Sequence, residues 1–373
     1  MQQLQGCNDN VVEIAPKLPW LDRLLPLLVL ISMVIGVILG YYAPSVGQAL
    51  NMITITGVSL PIAIGLLLMM YPILCKVKYE SLIHIYRTKD TFKQLGLSFV
   101  LNWIIGPALM TALAWATLPD QPEFRSGVIL VGVARCIAMV LIWNQLAKGD
   151  PEYCTFLVAF NSILQVFLYS PLAYFYVVIV GQGSSLHIDM WLVTKSVLIF
   201  LGIPLLAALA TRVIINSFAP IWYKHFFLPI ISPVSLLGLL FTILVMFSIQ
   251  GRLIINNIAN VVRVAVPLLL YFLAMFFATL LYCYKMKIKY ELSVTQAFTA
   301  ASNNFELAIA VAITTYGINS PEALATVIGP LIEVPVLLGL VYLALRWMRS
   351  WPSTNPIADS MDYSIQSTSL NPL

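Results

Sequence analysis

The chain has 373 residues and a formal net charge of +4, with 60% hydrophobic and only 10% charged residues. A soluble domain carries about 25% charged residues, so this composition argues against a water-soluble protein and predicts that lipid surrounds most of the chain. No basic patch is interleaved with aromatic residues, which argues against nucleic acid as a partner. The five cysteines are scattered without CxxC or CxxH spacing, which argues against a disulfide framework and a structural zinc site.

Ten long apolar runs follow a polar N-terminal segment, residues 1–19, which we predict to be cytoplasmic and not a cleavable signal peptide. Because lipid cannot bond the backbone, the runs predict an all-α membrane protein with ten transmembrane helices. The predicted spans are about 20–43, 57–75, 94–117, 126–147, 153–180, 190–212, 226–249, 258–284, 293–316 and 321–346. They are predicted to make one ten-helix membrane domain over residues 20–348, and residues 349–373 are predicted to be a disordered cytoplasmic tail.

The distribution of Lys and Arg predicts the orientation. With the N-terminus inside, fifteen basic residues lie on the inner side and four on the outer side. This bias follows the positive-inside rule and requires an even number of spans, so both termini are predicted to be cytoplasmic. The protein is therefore expected in the cell membrane as a multi-pass protein.

The spans divide into two groups of five, about residues 20–180 and 190–346, which the orientation makes inverted with respect to each other. Leu60-Pro61 opens span 2 as Ser232-Pro233 opens span 7, each before an apolar run. Inverted repeats are a recurring architecture of secondary transporters. No GxxxxGK[ST] phosphate loop is present, so we expect transport driven by an ion gradient or by a separate ATPase subunit. The sequence does not decide whether the chain forms a homo-oligomer. Neither a cofactor nor an enzymatic activity is expected.

Span 4 contains a cysteine near mid-membrane, Cys136, directly after Arg135. A neighbouring cation favours the thiolate, which binds soft metals and metalloids. Met139 lies one turn further on, and Asn144 lies on about the same helical face. The alternatives are an inert buried cysteine and a methionine that only packs.

Span 9 contains a polar cluster at mid-membrane, with four polar residues in five positions, Ser302, Asn303, Asn304 and Glu306. Such a cluster is typical of a helix that is broken or lines a cavity, although intramembrane asparagines also join helices by hydrogen bonds. In the inverted-repeat arrangement spans 4 and 9 are counterparts, so their polar centres are predicted to meet at one site.

Span 10 carries Glu333 between Pro330 and Pro335. Burial in a low dielectric favours the protonated form of such a carboxyl group, which can then bind and release a proton. The alternative is a static ion pair with Arg135.

Three amide side chains within the spans have two possible roles. Asn161 and Gln165 are four residues apart on span 5, and Asn102 precedes a Gly-Pro pair in span 3. They can bond a hydroxylated solute or brace neighbouring helices.

Four blocks of these spans resemble arsenite permeases of the arsenical-resistance family, within the bile acid/arsenite/riboflavin transporter superfamily. The blocks are Leu101–Pro107, Gly132–Asn144, Ala301–Leu307 and Gly329–Pro335. The likeness covers about residues 19–348. It implies core and panel domains with crossed, discontinuous helices 4 and 9. It also implies an antiporter that exports arsenite, with antimonite as a second cargo, in exchange for protons, and it makes Cys136 and Glu333 essential.

The resulting hypothesis is a secondary transporter in which Cys136 binds As(III) as substrate through sulfur. The amides predicted to bind the hydroxyl groups of the substrate are Asn144, Asn161, Gln165, Asn303 and Asn304. Glu333 and Glu306 are the predicted proton-coupling residues, with Arg135, Met139 and Asn102 in support. One alternative is a sodium-coupled organic anion carrier of the same fold, with sodium at the span 9 cluster. The other, a membrane receptor or enzyme, has little support because the loops are short and His84, His187 and His225 are dispersed.

Overall fold

The computed structural model describes residues 20–55, 57–77, 79, 89–181 and 189–351. The predicted N-terminal segment, His84, His187 and the tail beyond Trp351 lie outside these residues. Helices dominate the described chain, as predicted, together with one short antiparallel pair, β1 (Thr54–Ile55) and β2 (Val58–Ser59).

The helices before the midpoint of the chain correspond to predicted spans 1 to 5. They are α1 (Trp20–Tyr42), α2 (Pro44–Leu50), α3 (Leu60–Lys76), α4 (Lys89–Phe99), α5 (Gly106–Thr117), α6 (Pro122–Val133), α7 (Met139–Leu146) and α8 (Pro151–Tyr174). π-Helical turns join α4 to α5 over Val100–Ile105 and extend α8 over Phe175–Val180. Pro107, at the start of α5, lacks an N–H and so cannot continue the α-helical ladder from α4.

The second half of the chain contains the helices of predicted spans 6 to 10. They are α9 (Met190–Val197), α10 (Ile203–Phe218), α11 (Pro220–Trp222), α12 (Leu228–Asn256), α13 (Ile258–Lys285), α14 (Tyr290–Ala301), α15 (Phe305–Tyr316) and α16 (Pro321–Met348). π-Helical turns over Leu198–Gly202 and Tyr223–Phe227 join α9 to α10 and α11 to α12.

Seven helical segments of the described chain are long and apolar enough to cross a membrane. They are Leu24–Tyr42, Phe92–Thr117, Pro151–Val180, Met190–Phe218, Pro220–Asn256, Ile258–Lys285 and Pro321–Met348. Predicted span 2 corresponds to α3, an apolar helix of 17 residues, and spans 4 and 9 are each interrupted near the middle. The chain is a multi-pass membrane protein.

The helices pack as two groups. In the first, α12 lies between α1 and α3, and α10 packs on α3. Gly36 of α1 is so close to α12 that a Cβ there would lie 2.7 Å from the Cβ of Phe247. In the second group α16 packs on α6, α13 and α15, while α13 also contacts α5 and α14. The two interrupted helices therefore belong to the second group, whose helix α16 contacts α12 of the first.

Candidate functional site

Two helix interruptions lie against each other. One separates α6 from α7 over residues 134–138, and the other separates α14 from α15 over residues 302–304. Arg135 and Asn303 form an isolated antiparallel β-bridge between them, and the backbone N–H of Asn304 donates to the carbonyl of Ala134 at 3.2 Å. Four helix ends thus converge, and their unpaired backbone groups make this part of the interior polar.

The two asparagines of this cluster bond the backbone groups that the interruptions leave free. The Asn303 amide donates to the carbonyl oxygens of Val131 and Ala134, at 2.9 and 3.0 Å, and so caps the end of α6. Asn304 is the N-cap of α15, since its Oδ1 accepts a hydrogen bond of 3.1 Å from the N–H of Leu307. These side chains explain how a membrane helix tolerates a break here.

Cys136 faces the protein interior, and its side chain is only 2% exposed. Its sulfur accepts a hydrogen bond of 3.3 Å from the backbone N–H of Val140, in the first turn of α7. The positive end of that helix therefore points at the sulfur, which favours any negative charge that develops there. The thiol is not in contact with the lipid-facing surface.

Ser302 lies between Cys136 and Glu333. Its hydroxyl donates a hydrogen bond of 2.5 Å to Oε1 of Glu333, whose side chain is 1% exposed. The same hydroxyl faces the Cys136 sulfur, and the indole of Trp143 faces the carboxyl group without hydrogen-bond geometry. The thiol of the first interruption and the carboxyl group of α16 are thus linked through a single serine.

Glu306 is the second residue of α15 and lines a small cavity together with Glu333 and Met139. The cavity measures about 20 Å³, room for one water-sized molecule, and Thr242 and Met246 of α12 close its other side. Both carboxyl groups therefore face the boundary between the two helix groups.

A larger cavity of about 180 Å³ begins at Lys76 and Gln145 and extends to Met139. Met139 and Leu239 line both cavities, so these two side chains separate them. The serines of α12, Ser232 and Ser235, contribute polar groups to the larger cavity. The larger cavity therefore ends at the side chains that bound the smaller one.

Arg135 is fully buried, and neutral groups hold its guanidinium. It donates to the Tyr271 hydroxyl at 2.9 Å and to the carbonyl of Gly132, while Tyr271 donates to the carbonyl of Ala300 at 3.2 Å. Gly132 and Ala300 are in the last turns of α6 and α14, so the cation lies at the negative ends of two helices. Cys136 and Glu306 lie at the positive ends of α7 and α15.

Two expectations for Arg135 differ from this geometry. Its guanidinium forms no ion pair with Glu333, or with any carboxylate among the described residues. It also bonds Tyr271 and Gly132 instead of the neighbouring thiol. The reason is the bridge with Asn303, because successive side chains of an extended backbone point in opposite directions.

The structure brings Gln165 to the first interruption, where its Oε1 accepts a hydrogen bond from the backbone N–H of Arg135. Asn161, one turn away, accepts a hydrogen bond of 3.1 Å from the Trp103 indole. Within the described chain the Nε2 of Gln165 and the Nδ2 groups of Asn161 and Asn304 have no acceptor. These three N–H groups are therefore buried without a hydrogen-bond partner among the described residues.

Two other predicted residues are used for structural contacts. The Asn144 amide donates to the carbonyl of Asp150 at 3.0 Å and accepts from Thr295 at 2.7 Å, which ties the end of α7 to α14. Its predicted place beside Cys136 assumed one continuous helix, and the break after Cys136 removes that relationship. The Asn102 amide donates to the carbonyl of Ser98, one turn earlier in its own helix, at 2.9 Å.

Sequence reasoning gave no individual role to three residues of this site. Ser302 is in the polar run that also contains Asn303, and Trp143 is in the block with Cys136, so both were open to detection. Tyr271 gave no sequence signal, because it is one tyrosine in the apolar helix α13. No group of three or more His, Cys, Asp or Glu side chains is clustered in the part of the chain that the structure describes. Among the described cysteines, Cys136 is the one that lies within an interruption.

Comparison with known proteins identifies the family of this chain. Residues 63–257 match the model of the Sodium Bile acid symporter family, and that match covers about half of the chain. The arsenical-resistance protein Acr3 of Corynebacterium glutamicum is 45% identical over 359 residues, which cover 95% of each chain.

This chain belongs to the Sodium Bile acid symporter family. Within that family it is also 33% identical to the arsenical-resistance protein Acr3 of Alkaliphilus metalliredigens, over 92% of this chain and 97% of that one. An uncharacterized transporter of Synechocystis sp. is 35% identical over 90% of this chain and 91% of its own length. The predicted resemblance to arsenical-resistance permeases is confirmed. As a member of this symporter family the chain is a transporter and not an enzyme.

Proposed function

We propose that this transporter exports arsenite across the cell membrane in exchange for protons. The observation that carries the proposal is the adjacency of Cys136, Ser302 and Glu333 where two interrupted helices meet. It is supported by the 45% identity, over 95% of the chain, to a protein named for arsenical resistance.

A single thiol suits a carrier of As(III). Thiolate is a preferred ligand of soft metalloids, but a site with three thiols would hold the cargo too tightly for release. Arsenite at neutral pH is the uncharged trihydroxide, whose oxygens can accept hydrogen bonds. The N–H groups of Asn161, Gln165 and Asn304 lack acceptors among the described residues and are the proposed donors. Antimonite has the same chemistry and is the proposed second cargo.

A neutral solute gains nothing from the membrane potential, so export against a gradient needs a coupled ion. On loading, the Cys136 sulfur replaces one hydroxyl group of As(OH)₃. The thiol proton leaves with that hydroxyl as water, and Glu333 releases its own proton to the cytoplasm. On release, an external proton returns to Glu333, and water restores both the thiol and As(OH)₃. The hydrogen bond from Ser302 holds Glu333 beside the thiol for this exchange, and Glu306 is the proposed second proton site.

The architecture we propose has ten spans in two inverted halves, residues 20–180 and 190–346, with helices 4 and 9 crossing at the interruptions. The panel domain contains α1, α3, α10 and α12, and the remaining long helices form the core domain. The paired breaks and the Arg135–Asn303 bridge support this arrangement.

The proposed orientation has both termini in the cytoplasm. The larger cavity begins at Lys76, on the side where the basic residues are concentrated, so it is the proposed inner entrance. The mechanism requires neither an ATPase subunit nor a homo-oligomer. The comparisons do not favour the alternative, a sodium-coupled organic anion carrier.

Everted membrane vesicles test the proposal. An imposed proton gradient should drive arsenite accumulation by the wild type and by Cys154→Ala, a matched variant of another buried cysteine, in sodium-free buffer. Cys136→Ala and Glu333→Gln should accumulate at most about a tenth as much. Full accumulation by both of these variants would refute the mechanism, and a requirement for sodium would favour the alternative.

A further inference from the structure

An apolar groove lies between the ends of α13 and α16, and it shares no residue with the two cavities of the candidate site. It measures about 340 Å³, more than either of them. Its walls are lined by Phe277, Leu280, Leu281, Tyr284, Trp347, Ser350 and Trp351. Nothing in the proposed transport mechanism uses it.

The aromatic walls of this groove are held by contacts with one another and by one hydrogen bond to the backbone outside it. The Trp351 indole donates a hydrogen bond of 3.1 Å to the carbonyl of Ile288, and its ring packs edge-on against Tyr284 with centroids 5.2 Å apart. Trp347 packs on Phe277 with centroids 5.8 Å apart. The groove is therefore formed before any ligand binds, which lowers the cost of binding.

Basic residues adjoin the lining residues of the groove in the sequence. Five exposed cations follow or flank its lining residues in the chain, and they are Lys285, Lys287, Lys289, Arg346 and Arg349. Glu291 is the one acidic residue in segments 277–291 and 346–351. An apolar groove with aromatic walls thus opens beside a strongly positive surface.

We propose that this groove binds an anionic phospholipid, with part of an acyl chain in the groove and the phosphate group at the cations. Basic pockets between transmembrane helices recognise anionic headgroups, and Trp and Tyr prefer the depth at which headgroups and chains meet. A second copy of the chain is a poor occupant, because a two-fold interface would oppose two identical positive patches. This inference does not depend on the transported solute.

Native mass spectrometry of the delipidated full-length protein tests the site with phosphatidylglycerol and phosphatidylcholine of identical acyl chains. We expect one phosphatidylglycerol to be retained at concentrations at least about tenfold lower than phosphatidylcholine. Lys285→Gln/Arg346→Gln/Arg349→Gln should abolish this preference. Leu281→Trp, which fills the groove and keeps every charge, should reduce retention of both lipids. The matched control Lys195→Gln/Arg252→Gln removes exposed cations elsewhere and should behave as the wild type.

Several outcomes would overturn the proposal. Equal retention of the two lipids by the wild type, or an unchanged preference in the triple variant, would show that the cations do not select the headgroup. Unchanged retention in Leu281→Trp would exclude the groove. A chain ending at Trp351 tests the tail, which contains Asp359 and Asp362 but no cation. Higher retention of both lipids by that chain would identify the tail as the occupant instead. Thermal unfolding of each variant separates these results from misfolding.

Discussion

The Ser302 hydroxyl donates a hydrogen bond of 2.5 Å to Oε1 of Glu333 and also faces the sulfur of Cys136. These three side chains come from three different segments of the chain. Their adjacency makes the serine the link between the proposed substrate ligand and the proposed proton carrier, and it gives the first prediction.

Ser302→Ala should lower arsenite export about tenfold or more, because a hydrogen bond to a charged group contributes about 1.5–3 kcal/mol. Ser302→Thr keeps the hydroxyl and should retain more activity than the alanine variant. Initial rates in vesicles at several external pH values measure the effect. If the alanine variant matches the wild type at every pH, Ser302 does not link the two groups.

A chain in which Cys136 is the sole cysteine should still export arsenite. The other described cysteines are buried and free, and none belongs to a cluster of potential ligands within the described segments. The variant replaces Cys7, Cys75, Cys154 and Cys283 by alanine, and transport is compared with that of the wild type. Loss of export that one restored cysteine recovers would reveal a second essential thiol.

Arg135→Lys should lower the thermal stability of the protein even though the charge remains. A lysine cannot reproduce the fork by which the guanidinium binds both Tyr271 and Gly132. Arg252→Lys, at an exposed position, is the matched control and should unfold at the wild-type temperature. Equal midpoints for all three proteins in detergent would show that charge alone suffices at Arg135.

Gly106→Ala should disturb the same network from the other side. A Cβ at this position would lie 2.8 Å from Nη1 of Arg135 and 3.1 Å from the Tyr271 hydroxyl. The guanidinium must then shift, so we expect a lower folded yield. Gly96→Ala is the control, since a Cβ there meets no atom within 4 Å. Fluorescence-detected gel filtration compares the two, and equal yields would argue against a tight fit.

The exposed ion pair between Asp120 and Arg263 should contribute little stability, and its contribution should not change across the neutral range. The hydrogen bonds from Arg263, 2.5 and 2.9 Å long, lower the pKa of Asp120 from its usual value of 3.8. A carboxyl group whose pKa is lowered by folding stabilises the fold at every pH above its pKa in the unfolded state. This stabilisation is lost as the pH falls through its lower pKa in the folded state. The midpoint difference between Asp120→Asn and wild type should therefore be small and constant from about pH 5 to 8. A difference that changes within this range would implicate another titrating group.

Much of the fold could be anticipated from sequence, because lipid requires helices and apolar runs reveal them. The interruption at Asn303 and Asn304 could also be predicted from the sequence, since clustered amides in an apolar run are typical of a broken helix. The grouping of Asn144 with Cys136 failed because it applied helical spacing across a break. The partners of Arg135 could not be foreseen, since Tyr271 lies 136 residues away in sequence and only the packing of α13 brings it there.

The small cavity beside Glu333 and Glu306 has a consequence for how the protein must move. At about 20 Å³ it admits one water, whereas a trihydroxide has three oxygens around its central atom. Cargo can reach both acids only when α12 separates from α15 and α16. Side chains of α12 that face this cavity, such as Thr242 and Met246, then determine how readily the transporter opens. Larger or more hydrophobic residues at these positions would arrest turnover although the proposed substrate and proton ligands remain unchanged.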